Sequence, residues 1–212
     1  MLPEYLNPKR RRCWLASMLI LLLGALPPGF AQDALPESVQ IEVLVFAYAD
    51  NGGSGAEAAP NSIEERPYDL YVLGEAGEGM YQALPASAQR LAGAAGVLGR
   101  SARSRVLLHT GWRQPSFNGR RIRLQNDARV EGPAPALGLL GGSSAELDGW
   151  LELEAGRGLR VHLDLLFGRE GAAGVDNFRL RQTRVLTPGE LHYFDHPAFG
   201  AIVRVDALES GL

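Results

Sequence analysis

Two groups of residues in this chain have types and spacing suited to chemistry. The first is His192-Tyr-Phe-Asp195-His196, two histidines and a carboxylate within five residues. Imidazole and carboxylate are metal-ligand groups. A spacing of four would align the histidines on a helix, but Pro197 disfavours an α conformation at His196. A metal-dependent hydrolase using His192, Asp195 and His196 stands as a rival to a plainer reading. In the plainer reading the chain leaves a strand, Asp195 caps one helical turn at His196-Pro-Ala-Phe, and Phe194 and Phe199 fill the core.

The second group runs from Arg100 to Arg123 and holds seven arginines (100, 103, 105, 113, 120, 121, 123) without one acid. Trp112 and Phe117 lie among them. Guanidinium forks beside aromatic faces suit ligands that carry carboxylates and sugar rings. Arg105, Trp112, Arg113, Arg120, Arg121 and Arg123 are therefore candidate ligand-binding residues. The competing reading is a solvated face whose arginines pair with Glu152, Glu154 and Asp164. His109 and His162 stand singly on expected strands, as surface or hydrogen-bonded core groups.

Other chemistry finds little support. There is no Gly-x-Ser-x-Gly elbow, phosphate-cradling loop, dinucleotide fingerprint or His-Glu-x-x-His helix. The glycine groups at 52–55 and 138–142 fall in loops and not between a strand and a helix. A net charge of −3 gives no basic footprint for nucleic acid. One cysteine excludes an internal disulfide framework and a multi-thiolate zinc site. No cofactor or metal is expected.

The amino terminus looks like an address. Lys9-Arg-Arg-Arg12 precedes the apolar stretch from Trp14 to about Pro27, and Pro27-Pro-Gly-Phe-Ala-Gln32 offers small residues for a cut after Ala31. This is the pattern of a secretory signal peptide at 1–31, short of the ~20 apolar residues of a membrane span; an uncleaved anchor is the rival. Cys13 precedes the apolar segment and cannot be a lipoprotein cysteine. Cleavage would leave 17 basic against 23 acidic residues, a net charge of −6, with every cation an arginine because Lys9 is the sole lysine.

The elements that must position these residues are mostly strands. Val39-Gln-Ile-Glu-Val-Leu-Val-Phe-Ala-Tyr48 reads as a central strand buried on both faces. Leu84, Ala88, Leu91, Ala95 and Leu98 step by four and three, predicting a helix opened by Pro85 and stopped at Gly99. Arg105–Trp112 reads as a strand with Val106, Leu108, Thr110 and Trp112 on one face, ended at Gln114-Pro115. Ile122 and Leu124 hint at a short strand, and Tyr68–Leu73 at a strand or turn. Gly149–Glu154 and Leu159–Phe167 form a hairpin with one wet and one buried face. Phe178–Leu186 turns at Thr187-Pro-Gly-Glu190 into Leu191–Gly200, and Ala201–Val205 closes the pattern. The whole is an α+β class: a single domain, 32–212, with one mostly antiparallel sheet, one main helix packed on it, and two long irregular loops at 50–66 and 131–145.

Two blocks carry a resemblance. Gly189-Glu-Leu-His-Tyr-Phe-Asp-His-Pro-Ala-Phe-Gly-Ala-Ile-Val-Arg-Val205 resembles the C-terminal signature of the CsiV family, and Val106-Leu-Leu-His-Thr-Gly-Trp-Arg-Gln-Pro115 resembles its second block. Glu64-Glu-Arg-Pro67 departs from the family's acidic, Trp-containing stretch by lacking the tryptophan. The resemblance implies a non-enzymatic periplasmic protein that binds peptidoglycan and supports a bifunctional penicillin-binding protein in cell-wall synthesis and cell shape. Its motif positions here are His109, Trp112, Gln114, His192, Tyr193, Asp195, His196, Phe199 and Gly200, which can hold a fold as readily as a ligand. The alternative function is an envelope protein–protein adaptor without wall affinity.

Overall fold

The computed structural model describes residues 36–49, 69–73, 80–116, 119–127, 129–130, 144–171 and 174–208. The expected signal segment 1–31, the loop 50–66, Phe117 and most of the loop 131–145 lie outside them. The last two residues of that second loop, Ser144–Ala145, form a strand. No helix among the described residues is long and apolar enough to cross a membrane.

The strands in chain order are β1 (Ser38–Tyr48), β2 (Gln82–Ala83), β3 (Ser104–Pro115), β4 (Arg121–Gln125), β5 (Arg129–Val130), β6 (Ser144–Ala145), β7 (Leu147–Ala155), β8 (Leu159–Gly171), β9 (Gly174–Leu186), β10 (Leu191–His196) and β11 (Phe199–Leu208); one helix, α1, spans Ala92–Arg100. All ladder pairs are antiparallel. They build a five-stranded sheet ordered β10-β11-β1-β3-β2, a four-stranded sheet ordered β4-β7-β8-β9, and the small pair β5-β6. Tyr71 adds an isolated parallel bridge to Ile122.

The expectation of a single sheet is thus corrected to two. Alternation along β8 shows that one face is buried without showing what buries it. The partner is the other sheet. Val39, Ile41, Val43 and Val45 of β1, Trp112 of β3 and Val203 and Val205 of β11 meet Leu151 and Leu153 of β7 and Leu159 to Phe167 of β8 in one apolar cluster. A helix of nine residues with no fully buried side chain could not cover such a face.

β1 is the middle strand of the larger sheet and is buried on both faces from Val39 to Ala47. Its inner face belongs to the sandwich core. Its outer face carries Gln40, Glu42, Leu44, Phe46 and Tyr48, and the first half of that row lies beneath the segment 84–91. Gln40 Nε2 donates to the Ala88 carbonyl at 3.4 Å. The Glu42 carboxylate, 1% exposed, accepts from the amides of Arg90 and Leu91, both at 2.7 Å, and sits 2.7 Å from His109 Nε2 on β3. Three donors on one buried carboxylate offset the desolvation it suffers, and its charge suits a helix amino terminus.

That capture explains why the helix begins later than its pattern predicts. After Pro85 comes only a 3-10 turn, Ala86–Ala88. The amides that Glu42 takes are those just before Ala92, so α1 starts there. The apolar stripe still faces the sheet through Leu84 and Leu91, both buried. Gly111, opposite Glu42, lets the segment lie close: a Cβ there would stand 2.8 Å from a Leu84 methyl and 3.0 Å from the Ile41 carbonyl.

The face expected for β3 also needs correction. Leu108, Thr110 and Trp112 pair with Val45, Val43 and Ile41 on the inner face, but a bulge between Val45 and Phe46 shifts the register. Val106 then pairs with Phe46, an outer-face residue, because an extra residue in one strand reverses the alternation beyond it.

Removing the Glu42 carboxylate leaves two amides and an imidazole facing a void. Glu42→Ala is expected to lower stability by about 3 kcal/mol in urea unfolding, with Glu42→Gln recovering part of it. An unchanged midpoint would show that packing alone holds the segment.

Candidate functional site

The structure does not gather the arginine block into one surface. Arg113, opposite Gln40, is exposed on the outer face of the larger sheet. Arg105, opposite Ala47, reaches to Glu146, an ion pair between β3 and the residue that joins β6 to β7. Arg121 and Arg123 lie on β4 of the smaller sheet. Arg121 bonds Glu152 at 3.1 Å and Asp69 at 3.3 Å and stands over the Trp150 ring at 5.1 Å. Arg123 forks onto Asp148 at 3.3 and 3.0 Å. Arg120 is exposed and stands over the Tyr71 ring at 5.7 Å. Trp112 is 0% exposed, its indole N–H given to Gln114 at 2.7 Å, so it offers no aromatic face to solvent.

The competing reading therefore describes part of the block correctly. Arg121 does pair with Glu152. Glu154, however, takes Arg160 and His162, and Asp164 takes Arg179 at 2.7 Å and Arg181 at 3.8 Å, all from outside the block.

The motif residues near the end of the chain divide by strand alternation. His192, Phe194 and His196 point to one side of β10, and Tyr193 and Asp195 to the other. The two histidines and the carboxylate of the metal reading thus lie on opposite faces. His192 Nε2 meets the backbone of Thr187 at 3.2 Å, tying down the turn before β10. His196 Nδ1 accepts the Ala198 amide at 3.1 Å, and burial pushes its pKa below the ordinary histidine range, in keeping with that acceptor role. Asp195 caps no helical turn: His196 pairs with Phe199 across a tight hairpin at Pro197-Ala198. Phe199 lies in the core against Phe167, ring centroids 5.5 Å apart.

What the structure does bring together, across the hairpin and β1, is Tyr48, Tyr193 and Asp195. The Tyr48 and Tyr193 hydroxyls meet each other. Both donate to Asp195 Oδ1, at 2.9 and 2.7 Å. Phe46 lies under the group, nearly parallel to the Tyr193 ring (6.3 Å, 12°) and edge-on to Tyr48 (5.6 Å, 83°). Gly200 faces the ring directly: a Cβ there would come within 3.0 Å of Tyr193 Cε2 and its hydroxyl. Tyr193 remains 42% exposed. The result is an aromatic surface, fixed from below, with a carboxylate at its rim. Sequence reasoning had Tyr193, Asp195 and Gly200 as motif positions but missed Phe46 and Tyr48. Their only local sign was a place in the continuous apolar run of β1, and their partners lie about 150 residues on.

Residues 74–208, well over half the chain, match the family model described as peptidoglycan-binding protein, CsiV. No curated protein and no solved structure matches the chain.

Burial pushes the pKa of Tyr48 and of Tyr193 above the ordinary tyrosine value of 10.0, and their hydrogen bonds to Asp195 add to the rise. Folding therefore holds protons that the unfolded chain releases, so this contribution to stability is complete below about pH 10 and is lost as pH climbs further. An ultraviolet titration of tyrosinate is expected to show a late-ionising fraction that disappears in denaturant. Tyr193→Phe should shrink that fraction; its persistence would assign it elsewhere.

Proposed function

The chain belongs to the CsiV family, and from that premise we propose that it is a periplasmic, non-enzymatic module that grips peptidoglycan. The observation that carries this reading is the match itself, which takes in α1 and every described strand except β1. The basic and apolar amino-terminal pattern supports export to the compartment where the wall lies. Once there, wall binding would hold the protein beside the enzymes that build the polymer. Support of a bifunctional penicillin-binding protein in wall synthesis is the role the family resemblance suggests.

Peptidoglycan presents two chemistries, sugar rings and peptide carboxylates. Of the arginine block, Arg100, Arg103, Arg113 and Arg120 are exposed and have no carboxylate partner among the described residues. They are the members suited to peptide carboxylates by charge-assisted bonds. Arg105, Arg121 and Arg123 contribute to the fold through their acids instead, and Trp112 through packing.

A second reading, the adaptor without wall affinity, is favoured by exposed apolar side chains at Val185 of β9 and Leu191 of β10, 67% and 58% exposed. Co-sedimentation of the purified protein with isolated sacculi separates the two. Binding is expected at low salt and should fall in ~1 M salt, where the Debye length is about 3 Å. Arg113→Glu with Arg120→Glu should weaken it without lowering the melting temperature. Recovery in the pellet only when an envelope partner is added would select the adaptor.

A further inference from the structure

We propose that Tyr193, Tyr48 and Asp195 form a subsite for the sugar rings of the glycan strand, distinct from the exposed arginines. This rests on the wall-binding reading and assigns one of the wall's two chemistries to a named surface. The apolar C–H face of a pyranose needs a flat, rigid aromatic surface, and its hydroxyls need charged or polar acceptors at the rim. Tyr193 supplies the first. Gly200 removes the Cβ that would lift the ring off the sheet, and Phe46 supports it from beneath. The tyrosine hydroxyls, converging on Oδ1, fix the carboxylate and leave Oδ2 with no partner among the described residues.

The charge argues for sugar over stem peptide. A peptide carboxylate would meet Asp195 as a like charge, whereas a sugar hydroxyl would donate to it in a charge-assisted bond. All three side chains stand on strands of one sheet, β1 and β10, joined through β11. Their geometry is set before a ligand arrives, which keeps the ordering cost of binding low.

The test uses two probes, intact sacculi and soluble glycan strands freed of stem peptides. The wild-type protein should bind both. Tyr193→Ala should weaken binding to the peptide-free strands about tenfold or more, and Asp195→Asn, which keeps shape and loses charge, several-fold. Tyr193→Phe should retain most of the affinity, because the ring face survives. Circular dichroism melts identify any variant that has lost its fold, and Asp195→Asn carries the test if Tyr193→Ala does. Wild-type binding to sacculi, with peptide-free strands not bound or bound equally by both variants, overturns the sugar subsite and leaves the wall-binding reading standing. Failure of the wild type to bind sacculi at all overturns the wall-binding reading.

Discussion

A charge buried in the middle of a sheet has to be answered by donors, and the answers to Glu42 organise the outer face of the larger sheet. Its carboxylate lies on the central strand and draws in the Arg90 and Leu91 amides and the His109 ring. Those bonds seat the segment 84–91, set where α1 begins, and cover one half of the outer row of β1. Leu44 is buried as a consequence. The cover ends there. Phe46 and Tyr48, further along the same row, are closed over by Tyr193 from the edge strand instead. One electrostatic obligation thus divides a single face into a structural half and an exposed aromatic half.

The sandwich core imposes the other limit. Both inner faces are apolar, so polar side chains on β10 and β11 are admitted only outward or at the ends. On β9, Gln182 and Arg184 occupy inner-face positions, and both reach across to β10: Gln182 donates to the Asp195 carbonyl at 3.1 Å, and Arg184 stands over the Phe194 ring at 5.1 Å. These contacts close one side of the sandwich with hydrogen bonding and a cation–π contact where apolar burial runs out. On the other side Tyr71 bridges to β4, its amide and carbonyl both at 2.8 Å from β4 backbone groups.

Local features were legible in the sequence because they depend on local physics. Continuous hydrophobicity marked β1, proline marked the end of β3, and alternation marked the β7–β8 hairpin. The turn at Thr187-Pro-Gly-Glu190 is as read, with Gly189 at φ 85°. The rest depends on residues far apart in the chain. The start of α1 is decided by Glu42, some fifty residues earlier. The side on which Val106 emerges is decided by a bulge against β1. The arginines from 100 to 123 are neighbours in sequence, but β3 and β4 belong to different sheets, so a dense linear charge block becomes several separate ion pairs and a few exposed guanidinium groups. Asp195 could be recognised as a motif position, yet its tyrosine partner on β1 is 147 residues away.

That separation has a consequence for how the protein comes into being. Tyr48 belongs to the first described strand, whereas Tyr193 and Gly200 belong to the last hairpin, and β1 holds its central place only when β11 has docked along it. The aromatic surface cannot assemble progressively from β1 onward; it is complete only once the hairpin of β10 and β11, Leu191–Leu208, has docked along β1. A chain that lacks this hairpin therefore presents no aromatic surface of this kind, and the surface exists only once the fold is complete.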